Sequence, residues 1–132
     1  MAVQRRIIAT EAAPAAIGPY SQGVVVSGGR TLYTSGQISL DPASGEIVGA
    51  GDVAAQTRQV LDNLAAVLAE AGMKFSDVVR AGIFLQDLGD FAVVNEIYAE
   101  RFDAAPPARA TVQVAGLPKG VLVEIDVVAV AE

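Results

Sequence analysis

An α+β fold is what this sequence predicts, on three observations. Two stretches repeat apolar residues at the helical period of 3.6, six short runs are valine- and isoleucine-rich or alternate apolar with polar residues, and together they follow the order β-β-β-α-β-α-β-β. At 132 residues, 52% of them hydrophobic, the chain suits a single domain spanning 1–132, and no linker or low-complexity tract divides it.

Val3 to Ala9 reads as a first strand, followed by an irregular loop from Glu11 to Gly18 in which Pro14, Gly18 and Pro19 hold Tyr20 at the exit. Gly23 to Ser27, the turn Gly28-Gly29 and Thr31 to Ile38 read as a β-hairpin. Turn chemistry at Asp41-Pro42 and Ser44-Gly45 fills the next loop. Asp52 is a good N-cap for a helix whose apolar stripe is Val53, Val60, Leu61, Leu64, Val67, Leu68 and Ala71, and Gly72 stops it.

Val78 to Leu85 alternates, with Val79, Ala81, Ile83 and Leu85 on one side and Arg80, Gly82, Phe84 and Gln86 on the other. A second helix is expected from about Asp90 to Phe102, with Phe91, Val94, Ile97, Tyr98 and Phe102 on its apolar side; Asp87 and Asp90 suit capping. Pro106 and Pro107 lead into a strand with apolar Ala110, Val112 and Val114 at even positions and Arg109, Thr111 and Gln113 at odd ones. After the turn Gly116 to Gly120, a last strand carries Val121, Val123, Ile125, Val127 and Ala129 on one face and Leu122, Glu124, Asp126, Val128 and Val130 on the other.

Two right-handed βαβ crossovers are expected to lay both helices on one face of a six-stranded mixed sheet. The other face then keeps Leu32 or Tyr33, Phe84, Leu122, Val128 and Val130 uncovered. Such a face predicts an oligomer, with a polar patch around Arg109 and Glu124 at or near the subunit contact.

Arg109 and Glu124 stand out because they interrupt strands that otherwise read as buried. A charge there costs several kcal/mol unless it is paired or used. A small acidic-ligand site explains them: arginine's planar fork grips a carboxylate with two parallel hydrogen bonds, while Glu124 can orient or deprotonate a water. A static ion pair of Arg109 with Glu124 or Asp126 explains them equally well, and spacing does not choose. Asn95 shares a helix stripe with Phe91 and Tyr98, and a buried amide there needs partners. Tyr20 and the pair Ser35-Gly36 are weaker signals of the same kind.

The rest of the composition narrows the chemistry. With no histidine and no cysteine, the chain cannot build a Cys/His zinc site, a thiol nucleophile, a disulfide or a Ser-His-Asp triad. No acidic cluster suggests a carboxylate metal site, so no metal is expected. A net charge of −6, with nine scattered basic residues, argues against nucleic acid as a partner. No apolar run reaches membrane-spanning length or forms a signal-peptide core, so the expectation is a soluble, cytoplasmic protein without a membrane partner.

Five segments, IGPYSQG at 17–23, YTSGQISLDPASGEIVG at 33–49, DVAAQTRQVLDNLAAVLAEAGM at 52–73, DLGDFAVVNEIYAERF at 87–102 and PPARATVQVAGLPKGVLVEIDVVA at 106–129, closely resemble the RidA family, also called YjgF. The resemblance covers nearly the whole chain in order. It implies a homotrimer of the chorismate-mutase-like fold, with the last strand antiparallel between earlier ones and sites in the clefts between subunits. It also implies cofactor-free hydrolysis of 2-imino acids, formed from 2-aminoacrylate or 2-aminocrotonate, to 2-oxo acids and ammonia. Carried over residue by residue, Arg109 binds the substrate carboxylate, Glu124 positions the attacking water, and Tyr20, Ser35, the Gly36 backbone and Asn95 complete the pocket. Thr111 is carried over as a further substrate-binding position, where the family often has cysteine, and Ser39 stands where proline is common.

Competing readings are a non-catalytic trimer that senses small 2-oxo acids, a translation-inhibiting ribonuclease, and a chorismate mutase by fold analogy. The absence of histidine weighs against the second, and fold alone is weak evidence for the third.

Overall fold

The computed structural model describes residues 2–103 and 105–132. Six strands and two α-helices follow the expected order: β1 (Gln4–Ile8), β2 (Gly23–Ser27), β3 (Arg30–Tyr33), α1 (Val53–Glu70), β4 (Val78–Leu85), α2 (Phe91–Ala99), β5 (Ala108–Gln113) and β6 (Val123–Ala131).

Helix α1 starts where the sequence sets a cap, with Asp52 Oδ1 accepting the Ala55 N–H at 3.1 Å. It ends before Gly72, whose φ of 72° is a conformation that costs glycine nothing. Its buried face is Gln56, Thr57, Val60, Leu61, Leu64 and Leu68, so the expected stripe gains a polar N-terminal end. The Gln56 amide is satisfied, donating to Gly49 O at 3.0 Å and accepting from Leu122 N at 2.8 Å. Helix α2 is shorter than expected, ending at Ala99; beyond it Phe102 turns back to stack on Tyr98 at 4.5 Å and meets Phe75 edge-on at 5.4 Å.

The main sheet has the order β3-β6-β4-β5, with β6 antiparallel between β3 and β4 and with β4 parallel to β5. The parallel strands β3, β4 and β5 advance across it in one direction, so consecutive right-handed crossovers put both helices on the same face. The core forms there, as Leu61, Leu64 and Leu68 of α1 and Val94, Ile97 and Tyr98 of α2 pack on Ala81, Ile83, Leu85, Val123, Ile125 and Val127. Each large side chain buried there stabilises the fold by about 1.5–3 kcal/mol relative to exposure.

Four expectations are corrected. The single six-stranded sheet is divided into the four-stranded sheet and a separate β1–β2 ribbon. The β2–β3 hairpin is absent: Gly28 and Gly29 do take the positive φ values of a tight turn, 79° and 75°, but β2 pairs with β1 and β3 with β6. Turn residues dictate a reversal of the chain and leave the choice of partner open; here β1 and β6 supply the antiparallel partners. In β4 a bulge between Val78 and Arg80 gives the core position to Val78 instead of Val79. On the face away from the helices Tyr33 is 76% exposed and Phe84 and Val128 are half-buried, whereas Val130 is buried and Leu32 joins the core on the other side.

The ribbon's path positions the candidate site. Ser21, just before β2, bridges to Ala108 at the free edge of β5, while β2 leads through Gly28-Gly29 to β3 at the opposite edge. The ribbon therefore crosses the end of the sheet where β3, β4 and β5 begin. Arg5 fastens it there, donating to Ser76 O at 2.6 Å and Ala105 O at 3.0 Å.

Candidate functional site

Register decides which way Arg109 points. It pairs with Ala81, which pairs in turn with the buried Val127, so the arginine projects to the helix side of the sheet. Thr111, two residues on and paired with Ile83, points the same way. Above them α2 presents Asn95 and Tyr98, three residues apart on one face. The polar positions of β5 thus turn inward beneath α2, and Val112 is left 43% exposed on the far side.

The Arg109 guanidinium lies in a box of aromatic rings, with Cζ 5.0 Å from the Tyr98 ring centre, 5.4 Å from Tyr20 and 5.8 Å from Phe91. It forms no ion pair among the described residues; the two that occur there, Arg58 with Glu100 and Arg101 with Asp62, lie elsewhere. Arg109 Nη1, Asn95 Oδ1, Tyr98 Oη and Thr111 Oγ1 are all buried without a hydrogen-bond partner among the described residues. Burial lowers the arginine's pKa, with Tyr98 and Tyr20 pulling it back up, and burial raises that of Tyr98, with the Arg109 charge opposing. At neutral pH the box therefore holds a charged, half-buried guanidinium beside a protonated, buried phenol. Such unpaired buried atoms are costly to a fold; Arg109 Nη1, Tyr98 Oη and Thr111 Oγ1 can donate to an acidic ligand, whereas Asn95 Oδ1 can only accept.

Tyr20 is brought in by the β1–β2 ribbon. Ser21 N donates to Pro107 O at 3.0 Å, its hydroxyl donates to Pro106 O, and Tyr20 N donates to Gly18 O at 2.7 Å. Gln22 ties down the preceding loop, giving its Nε2 protons to Pro14 O at 2.7 Å and Thr10 O at 3.0 Å and accepting Thr10 N–H at 2.7 Å. A groove of about 760 Å³ runs beneath that loop past Ile7, Ala16, Gly18 and Tyr20.

Glu124 lies on the opposite face. It pairs with Phe84, which pairs with Val112, one step out of phase with Arg109. Facing it is a bulge in the chain after β3: Thr34 N bonds Val127 O at 3.0 Å and Gln37 N bonds Ile125 O at 2.8 Å, so Ser35 and Gly36 together oppose Asp126. A Cβ at Gly36 would meet the Glu124 carboxylate, so a side chain there would push the glutamate aside. Ser35 and Gly36 are exposed and Glu124 is half-buried.

The expected site residues thus fall into two groups. Arg109, Thr111, Asn95 and Tyr20 converge on the helix side, while Glu124, Ser35 and Gly36 converge on the bare side. A single polar patch around Arg109 and Glu124 is not formed within one chain, and neither is the static bridge of Arg109 with Glu124 or Asp126. Asp87 caps the 3-10 turn at Leu88–Asp90 by accepting Gly89 N–H at 2.7 Å, whereas Asp90 precedes α2 without a capping bond from its side chain. Ser39 is buried away from both groups. No cluster of carboxylates able to hold a metal occurs among the described residues. The sequence reading treated Tyr98 and Phe91 as core and passed over Gln22; the spacing of Asn95 and Tyr98 is the signal that links the tyrosine to the site.

The family described as Endoribonuclease L-PSP matches residues 10–131. Protein DfrA of Myxococcus xanthus is 59% identical over 127 residues, 96% of each chain. The 2-iminobutanoate/2-iminopropanoate deaminase of Bos taurus is 52% identical over 126 residues, 96% of this chain and 90% of its own. Among solved structures, the YjgF gene product of E. coli is 50% identical with a TM-score of 0.71, and E. coli TdcF with bound serine is 45% identical with a TM-score of 0.73; each match covers 96% of this chain and 99% of the other. With an antiparallel β6 inserted between β3 and β4, two helices on one face and this similarity along nearly its whole length, the chain belongs to the RidA (YjgF) family.

Proposed function

We propose that this protein hydrolyses small reactive 2-imino acids to 2-oxo acids and ammonia, as the name of its bovine relative suggests. The observation that carries the reading is the Arg109 guanidinium, half-buried in its aromatic box with Nη1 unpaired among the described residues, which suits it to receive a carboxylate. The serine bound to TdcF is an acid of the same size class. Tyr20, Asn95 and Thr111 border the ligand beside Arg109, and Ser35, the Gly36 backbone and Glu124 close it from the other side.

In the reaction, Glu124 takes a proton from a water whose oxygen attacks C2 of the protonated imine. Glu124 then returns that proton to the carbinolamine nitrogen, the C–N bond breaks to release ammonia, and the hydroxyl proton passes to the departing ammonia to give ammonium and the 2-oxo acid. A protonated imine is already electrophilic, so orientation and a held water suffice, and a cofactor is superfluous.

Glu124 and Arg109 point to opposite faces of one sheet, so a complete site needs two copies, with the arginine side of one against the glutamate side of the next. Such a head-to-tail contact closes as a ring, for which the family resemblance gives three members, and the bare apolar seam of Tyr33 and Val112 provides a surface to bury. Ribonuclease activity, named in the family description, suits poorly a chain of net charge −6 without histidine.

The decisive experiment generates 2-aminoacrylate from serine with a dehydratase and follows pyruvate; the protein is expected to accelerate its release, and an unchanged rate rejects the reading. Shared sites predict complementation. Arg109→Ala and Glu124→Gln chains, each inactive alone, are expected to regain about one quarter of wild-type activity when unfolded together and reassembled, because each mixed ring has one intact site in three. No recovery rejects the shared site. Gly36→Ala is expected to displace the Glu124 side chain and lower turnover about tenfold with a stability change below about 1 kcal/mol in urea denaturation.

A further inference from the structure

Tyr98 is fully buried, yet its hydroxyl has no hydrogen-bond partner among the described residues. A core position with only packing to do is better filled by phenylalanine, because an unpaired buried hydroxyl is destabilising. The neighbourhood indicates what the hydroxyl is for. Its ring centre is 5.0 Å from the Arg109 guanidinium carbon, and Asn95 and Thr111 beside it also carry unpaired polar atoms. The ring also packs against Phe102, with centres 4.5 Å apart and planes tilted by 30°, which restrains its orientation.

Donors and acceptors can be matched. A carboxylate offers about four lone-pair sites, and the parallel N–H groups of one arginine fill two of them. A second donor is needed for the rest, and it must stay protonated. Burial keeps Tyr98 in the phenol form well above neutral pH, so its O–H remains a donor throughout the working range.

We infer that Tyr98 is a second donor to the ligand carboxylate, its hydroxyl bonding the acid seated on Arg109. This rests on the carboxylate-receptor reading of Arg109 given above and extends it to a residue that the sequence places in the hydrophobic core. The free protein therefore carries a polar cost at position 98 that binding removes, and stability and affinity are opposed there.

The test is Tyr98→Phe in the full chain, with 2-oxobutanoate as the probe. Calorimetric affinity is expected to fall about tenfold, roughly 1.4 kcal/mol by the usual conversion. The melting temperature of the unliganded protein is expected to rise by about 3 °C, since phenylalanine leaves no orphan hydroxyl. KM for the imino acid should rise more than kcat falls, because the bond is made to the bound acid before as well as during reaction. Unchanged affinity overturns the inference, and so does a fall in melting temperature alongside a fall in affinity, which marks a purely structural residue. If the unsubstituted protein, measured in parallel, binds no 2-oxo acid, the receptor reading of Arg109 fails and this inference with it; if it binds and the variant binds equally well, only the role of Tyr98 fails.

Discussion

Arg109→Ala is expected to lower kcat/KM for 2-iminopropanoate by about 10³-fold, the loss of two charge-assisted hydrogen bonds worth roughly 4 kcal/mol together. The fold should survive. Among the described residues Arg109 has no ion pair and its Nη1 no partner, so its removal takes away a polar cost as well as its contacts with Tyr20, Phe91 and Tyr98. Net stability is expected to change by less than about 1 kcal/mol, read from the urea midpoint. Arg109→Lys separates charge from shape: a point charge keeps the attraction but not the two-pronged grip, and an intermediate loss is expected. Wild-type turnover in the alanine variant removes the carboxylate anchor from the mechanism.

Glu124→Gln is expected to act on the other half of the reaction. Glutamine keeps the shape opposite Gly36 and can still hold a water by hydrogen bonds, but it cannot take the proton. Turnover should fall about 10²-fold or more, while affinity for 2-oxobutanoate changes little. Single-turnover pyruvate release set beside calorimetric titration checks both parts. Full activity leaves Glu124 without a chemical role, and a joint loss of binding and rate assigns it to pocket shape.

Much of the fold was legible in the sequence because it rests on local signals. Asp52, the apolar stripe of α1 and Gly72 are written in consecutive residues, as is the alternation of β6. Pairing is not local. Gly28-Gly29 signals a reversal, and nothing nearby says that β2 will join β1 while β3 joins β6.

The same distinction governs the site. A lone arginine or glutamate in an apolar strand is conspicuous, so Arg109 and Glu124 could be found. Their placement on opposite faces depends on the registers Ala81↔Arg109 and Phe84↔Glu124, which no single strand encodes. The alternation of β5 is plain, but only its register with β4 shows that Ala110 and Val112 face away from the helices while Arg109 and Thr111 face them. Tyr98 escaped notice for a simpler reason: on an apolar helical stripe, a tyrosine that touches ligand reads the same as one that only packs.

The aromatic enclosure of Arg109 also bears on how the site responds to ionic strength. Exposed charges lose their pull beyond a Debye length, about 8 Å in physiological salt, whereas a guanidinium walled by three rings keeps its short-range attraction. Long-range forces act in the other direction, since a chain of net charge −6 repels an anionic acid as it approaches. Added salt relaxes that repulsion while leaving the enclosed contact nearly intact. On the proposed reading, capture of the acid is therefore expected to be faster in a saline medium and its residence almost unaltered, the reverse of what a surface-exposed arginine would give.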